Sequence, residues 1–320
     1  LLNNTTASNN TAVGYQAAYS NTTAGGGTVH AFGNQALYSN TTGANNTGVG
    51  SVVLYSTTTG NSNVAMGSAA GYNNTTGSFN TAIGHNALLS NTTASNNTAV
   101  GYQAGNANTT GTVNTFIGRQ AGLSLTTASN STFVGNVSGR STTTGESNTA
   151  VGSDCFYTNT TGSNNIAMGV NALYYNSTGG NNVGLGFGAL QTNTTASNNT
   201  AVGYWSAYSN TTGANNTSIG QASLVFNTTG GNNVAVGLEA LRSNTTASEN
   251  TAVGYQASYT NTTGYQNTRV FIFKHIRLQH CYWFSIGFSK YNWKQQYLFR
   301  MEYFSVWCWR NRFWKSCRRF

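Results

Sequence analysis

The stretch Asn250-Thr251-Ala252-Val253-Gly254 decides the reading of this chain, because most of the sequence consists of variants of it. Its glycine recurs at Gly50, Gly67, Gly84, Gly101, Gly118, Gly135, Gly152, Gly169, Gly186, Gly203, Gly220, Gly237 and Gly254, always 17 residues apart. Two earlier copies end at Gly14 and Gly33, 19 apart, where Gly25-Gly26-Gly27 adds two residues. A fixed period of this length marks stacked repeats, each burying its surface against its neighbours.

Columns emerge when the copies are aligned on the glycine. The residue before it is apolar in every copy: Val49, Met66, Ile83, Val100, Ile117, Val134, Val151, Met168, Leu185, Val202, Ile219, Val236 and Val253, with Val13 and Phe32 in the first two. Three before the glycine stand Thr, Val or Ile, with one His30, and a small residue such as Ala65 or Ala99 lies between the two columns. Side chains alternate with period two along a strand, so the outer two columns share one face. The pattern predicts a short strand that turns this apolar face inward, with the column from Val49 to Val253 as the core.

Four before the glycine, Asn63, Asn80, Asn114, Asn148, Asn182 and Asn233 head a nearly unbroken asparagine column. Stacked amides of this kind form a ladder along the axis or cap the preceding turn. After the glycine a second short segment follows, with a small residue three beyond it and then Leu or Gly, often followed by Tyr (Leu37-Tyr38, Leu54-Tyr55, Leu173-Tyr174). An Asn-Thr-Thr turn closes the coil at Gly60, Gly77, Gly111, Gly162, Gly213 and Gly264, where glycine is expected for the positive φ of tight turns. The predicted fold is therefore all-β, a parallel solenoid of two strands and two turns per coil, with ~4.8 Å between coils. Three or four apolar side chains per coil are few against the backbone entropy of ordering it. Self-association through the Leu and Tyr columns is the expectation.

Charge is distributed very unevenly. Residues 1–268 hold three basic residues (Arg119, Arg140, Arg242) and four acidic ones (Glu146, Asp154, Glu239, Glu249), whereas 269–320 hold eleven Lys and Arg against Glu302. Proline is absent, as a chain of laddered backbone donors requires. No apolar run approaches the ~20 residues of a membrane-spanning helix. The chain begins at Leu1 without a signal peptide and is read as an internal fragment.

Little here points to catalysis. His30 and His85 fall in different coils and columns, Cys155 occupies a small-residue position, and no acid-base pair or triad is expected. No catalytic, cofactor-binding or metal-ligating residue is assigned; His280-Cys281 with Cys308 and Cys317 fits no compact zinc spacing. Asn-Xaa-Thr triplets at Asn21, Asn91 and Asn210 match N-glycan acceptors, but also read as plain turn residues. Regular Thr arrays can bind ice when they lie on a flat face, whereas the Thr pairs here are expected in turns.

The Asn-Thr-Ala-Val-Gly unit, and the runs Asn-Thr-Ala-Val-Gly-Tyr-Gln-Ala at 10–17 and 97–104, resemble the head repeats of trimeric autotransporter adhesins and repeats of bacterial and bacteriophage tail-fibre-like proteins. The resemblance covers residues 3–268. It implies a left-handed parallel β-roll, three chains to a fibre, at a cell surface (anchored in an outer membrane) or on a virion, attached to a host receptor or glycan. The adhesin repeat is usually shorter than 17, so a longer turn is implied. The alternative, from another class, is a monomeric β-solenoid that binds ice or a small ligand through its Thr and Asn arrays.

From Arg269 the repeat gives way to an irregular tail rich in Trp, Phe, Lys and Arg. Tryptophan's single codon, TGG, reads as glycine one base onward. Trp283 and Trp293 lie ten apart, as do Gly254 and Gly264, and Gln279 to Arg300 can be encoded so that the shifted frame reads NTAIGFQSALANTTGSNNIFSG. The tail 269–320 is thus read as the same repeat in a shifted frame. Its cations interleaved with aromatics would otherwise resemble a nucleic-acid or membrane-surface segment; no nucleic-acid partner is assigned.

Overall fold

The computed structural model describes residues 3–4, 8–22, 27–272 and 284–288. Each copy of the repeat forms one three- or four-residue strand, from β1 (Thr11–Val13) through β2 (Val29–Phe32) to β15 (Thr251–Val253). Consecutive strands pair in parallel, and the register advances one repeat at a time, Thr81 opposite Thr98 and Thr98 opposite Thr115. The two extra residues of the first interval leave this register intact, since Thr11 pairs with His30. The chain is a β-solenoid, roughly 70 Å long if each coil adds the usual parallel-strand spacing. β16 (Thr268–Ile272) continues the stack in parallel, and β17 (Phe284–Phe288) pairs with it antiparallel. The shifted-frame reading of the tail falls mostly on residues outside those described.

The second half of each coil differs from the expected second strand. It is a run of turns in which the residues two and four beyond the glycine take the left-handed conformation, as at Asn86 (φ 58) and Leu88 (φ 48). Their N–H groups point opposite ways along the axis: Asn86 N donates to Ser68 O of the preceding coil at 3.1 Å, and Leu88 N to Ala104 O of the next at 3.0 Å. Left-handed backbone costs non-glycine residues of order 1 kcal/mol or more. Bonds to both neighbouring coils hold it in place.

Which strand face lies inside is the reverse of the sequence expectation. The small middle residue points inward: Ala99, Ala150, Ala201 and Ala252 are fully buried, as are Phe116 and Phe133 in the same column. The column from Val49 to Val253 faces outward, with Met66 49% exposed, Met168 43%, Ile117 41% and Ile219 39%; Val49, Ile83, Val100, Val134, Val151, Leu185, Val202, Val236 and Val253 are half-buried. The Leu column, expected to face other chains, fills the interior instead: Leu37, Leu88, Leu173, Leu190, Leu224 and Leu241 are at most 1% exposed. The reason is volume. The coil is narrow, and a Leu entering from the turn segment leaves room for only a methyl group on the strand opposite it. Where the strand supplies Phe116 or Phe133, the Leu position becomes Gly105, Gly122 or Gly139, and a Cβ on Gly122 would lie 2.4 Å from the Phe116 ring. In these coils the two sides exchange interior volume.

A polar interior lies beside this apolar one. Asn63, Asn80, Asn114, Asn148, Asn182 and Asn233 are at most 5% exposed. Asn165 in the same column shows the full pattern. Its Oδ1 accepts from Asn182 N at 2.9 Å, and its Nδ2 donates to Gly179 O at 2.9 Å and to Asn148 Oδ1 at 3.2 Å. A second buried column, the Asn of Asn-Thr-Thr, runs parallel to it: Asn91 Nδ2 donates to Asn74 Oδ1 at 2.8 Å and to Ala94 O at 3.0 Å.

The turn glycines are constrained differently from expectation. Gly60, Gly77, Gly111, Gly162, Gly213 and Gly264 do not have positive φ; a Cβ on Gly60 would instead sit 2.3 Å from Gly77 O, and one on Gly264 would sit 2.6 Å from Asn261 Oδ1. The same column admits Ala94, Ala128, Ala196 and Ala247 but nothing larger. Positive φ is needed at the strand-ending glycine, as at Gly101 (φ 139), where a Cβ would also lie 2.4 Å from Gly118 O.

Removing one amide from the ladder tests its weight. Asn165→Ala leaves the Asn182 N–H unpaired inside the coil and removes one of the two donors to the Gly179 carbonyl, which keeps Asn176 Nδ2 at 3.0 Å, and is expected to lower stability by about 1–3 kcal/mol. Asn165→Ser should cost less, because Ser131 already stands in this column and its Oγ accepts from Asn148 N at 3.3 Å. Denaturant unfolding monitored by circular dichroism checks the order. Equal midpoints for wild type and Asn165→Ala would refute the ladder as a stabilising element.

Candidate functional site

The most extensive surface feature is the outer strand face. Thr81, Thr98, Thr115, Thr132 and Thr149 project from five consecutive strands, beside Ile83, Val100, Ile117, Val134 and Val151. Their coils present the same two columns at every step, because period-two alternation places both on the side opposite the buried Ala or Phe. Val64 (41% exposed) and Ile166 (40%) take the Thr position in other coils. Across β1 to β15 the two columns contain no Lys, Arg, Asp or Glu, and His30 is their one titratable side chain. The result is an apolar and hydroxyl stripe two side chains wide along the whole solenoid. His30 therefore lies on this outward face, not on the core side expected for it.

The Asn-Thr-Thr corners display less than their sequence promises. Asn21, Asn91 and Asn210 are at most 1% exposed, and the Asn91 and Asn210 amides are already bonded to the coil. A glycan on these nitrogens is incompatible with the folded ladder. The first Thr of each pair is also engaged, as when Thr92 Oγ1 donates to Thr109 O at 3.2 Å. The second Thr, for example Thr93 or Thr110, is exposed.

The remaining groups weighed for chemistry stay apart. His85 is exposed and stacks on Tyr102 at 5.7 Å between ring centroids. Cys155 is fully buried, its Sγ 3.3 Å from Ala167 O and 3.9 Å from Ser138 Oγ, and burial pushes its thiol up to about 12. Among the described residues no three His, Cys, Asp or Glu side chains gather as metal ligands, and no helix is long and apolar enough to cross a membrane.

Sequence reasoning missed two features. The second asparagine ladder was hidden in a motif that reads as a turn. The outward stripe was hidden by assigning its apolar residues to the core. The exchange of Leu for Gly in the coils carrying Phe116 and Phe133 was a signal for both inner columns. Compared with known protein families, curated proteins and solved structures, the chain matches none.

Because burial holds the Cys155 thiol protonated well above its ordinary value of 9.0, the folded chain retains a proton that the unfolded chain releases at alkaline pH. This contribution to stability is therefore complete below about pH 9 and is lost as pH rises toward 12. Iodoacetamide at pH 8.5, followed by peptide mapping, is expected to leave Cys155 unmodified in the folded chain and alkylate it in urea. Rapid alkylation of the folded chain would contradict its burial.

Proposed function

We propose that this chain is a shaft or head segment of a homotrimeric surface fibre, of the kind that the adhesin-like and tail-fibre-like repeats resemble, wound in the left-handed sense that the resemblance implies. The observation that supports it is the outer strand face. Soluble monomers rarely expose contiguous apolar patches beyond a few hundred Å², and this stripe runs for fifteen strands with no charged residue to repel a second copy. Identical chains are the fitting occupants, because a partner with the same coil spacing meets the stripe in register along its whole length. The corners and flanks of the coils remain outside and are the surfaces offered to a host receptor or glycan, at a cell surface or on a virion. The role is structural and adhesive, without catalysis.

The same face supports a second reading. Five consecutive Thr side chains on one strand face, flanked by Val or Ile, form a regular hydroxyl array on the sheet itself, separate from the Thr pairs of the turns. A monomeric solenoid could use this array to bind ice. The two readings exclude each other, since a face buried between chains cannot meet a crystal lattice.

Sedimentation velocity separates them. The wild-type chain is expected at three times the monomer mass. Val151→Asp with Val202→Asp is expected to give a folded monomer with an unchanged circular dichroism spectrum, because both side chains point out of the coil. Stable trimers of the double variant would sink the proposal, as would a monomeric wild type showing thermal hysteresis.

A further inference from the structure

Residues 1–268 hold seven charged side chains, and three of them, Arg119, Arg140 and Asp154, line one groove of about 310 Å³ in successive coils. Gln120, Asn136, Val137 and Tyr157 complete it. The groove lies past the strand-ending glycines, on the flank beside the outer strand face.

Its two guanidinium groups are held but not neutralised. Arg140 Nη1 donates to Tyr157 Oη at 2.5 Å, and its guanidinium carbon lies 5.5 Å from the Tyr157 ring centroid. Tyr157 is in turn stacked on Tyr174 at 5.0 Å, so the cation rests on a fixed aromatic column. Arg119 is exposed and makes a long bond, 3.4 Å, from Nη1 to Asn136 Oδ1. Asp154 accepts from Ser153 Oγ at 2.6 Å, and forms an ion pair with neither arginine.

Arg242 provides the internal comparison. It occupies the equivalent position in a later coil and likewise donates to the next tyrosine, Tyr259, at 2.9 Å. Its Nε, however, is 3.4 Å from Glu239 Oε1, the one ion pair among the described residues. The Nε of both arginines is buried without a hydrogen-bond partner, but Arg140 has no carboxylate paired with it. The same scaffold thus carries a paired cation in one coil and an unpaired one in the other.

We infer that this groove is a subsite for a carboxylate-bearing sugar residue, of the uronic or sialic acid class. Two guanidinium groups supply charge-assisted and bidentate donors for the carboxylate. Asp154 and Asn136 supply the acceptors and donors that ring hydroxyls need, and the Val137 side chain forms an apolar floor. A neutral sugar would leave both guanidinium charges without a counter-anion, and a simple anion would leave the second carboxylate oxygen of Asp154 unused. The inference adds a ligand class to the attachment reading proposed above, and its test does not depend on chain number.

The probe is methyl β-D-glucuronide, with methyl β-D-glucoside and acetate as controls, titrated into the full chain by ligand-observed NMR. The cationic tail is present in every variant, so its binding cancels in the comparison. Arg119→Gln, whose side chain is exposed, and Arg140→Gln are each expected to weaken glucuronide binding about tenfold, while Arg242→Gln leaves it unchanged. Glucoside and acetate should bind wild type more weakly than glucuronide. Equal affinity of wild type and Arg119→Gln would overturn the site. Glucoside or acetate matching glucuronide would overturn the ligand class. Glucuronide bound as expected by a monomeric chain would uphold the site and remove the trimer alone.

Discussion

The buried asparagine ladders are the constraint on which the rest of the solenoid depends. An amide in a dry interior must satisfy its carbonyl and its N–H groups within the protein. Here one coil cannot do this alone: Asn165 reaches Asn182 in the following coil, Gly179 in the turn that precedes it, and Asn148 in the preceding coil. Each coil must therefore stop at the same point as its neighbours, which accounts for the fixed 17-residue period and for the two extra residues being absorbed before β2 without shifting its register. The same packing accounts for the invariant strand-ending glycine, where backbone carbonyls of adjacent coils leave no room for a methyl group.

Once asparagines occupy part of a narrow cross-section, the apolar remainder is small. In several coils it accommodates a Leu from the turn segment with an Ala from the strand, as at Leu88 and Ala82, and in others a Phe from the strand with a Gly from the turn segment, as at Phe116 and Gly122. Larger apolar strand residues are consequently displaced outward. The displacement turns an interior constraint into a surface property, since the residues with the highest strand propensity become a continuous stripe whose burial requires other molecules. The proposed fibre grows from this step, and the charged groove on the flank stands outside it.

The coil length, the parallel stacking and the first asparagine column were legible because the glycine recurs without a slip. The second half of the coil was less so. Residues such as Leu88 and Gln103 carry no sequence mark of left-handed backbone, which is imposed by hydrogen bonds to the coils on either side. The inward face was misread because period-two alternation identifies which residues share a face without saying which face has room. Gly60 and its equivalents look like turn glycines in sequence, yet what limits them is the next coil's carbonyl. The groove at Arg119, Arg140 and Asp154 could not be read from spacing at all, since its residues come from three coils and three positions within the repeat.

The partition between inside and outside is the central claim, and methionine oxidation tests it most directly. Met66 and Met168 lie in the outward column, whereas the coil interior is lined by Ala, Leu and Phe. With dilute peroxide acting on chains dissociated to single rods but still folded, both methionines are expected to oxidise at the rate of a free methionine, and to become protected when the chains associate. Protection of Met66 and Met168 in the single folded rod would place their column inside the coil and contradict the account.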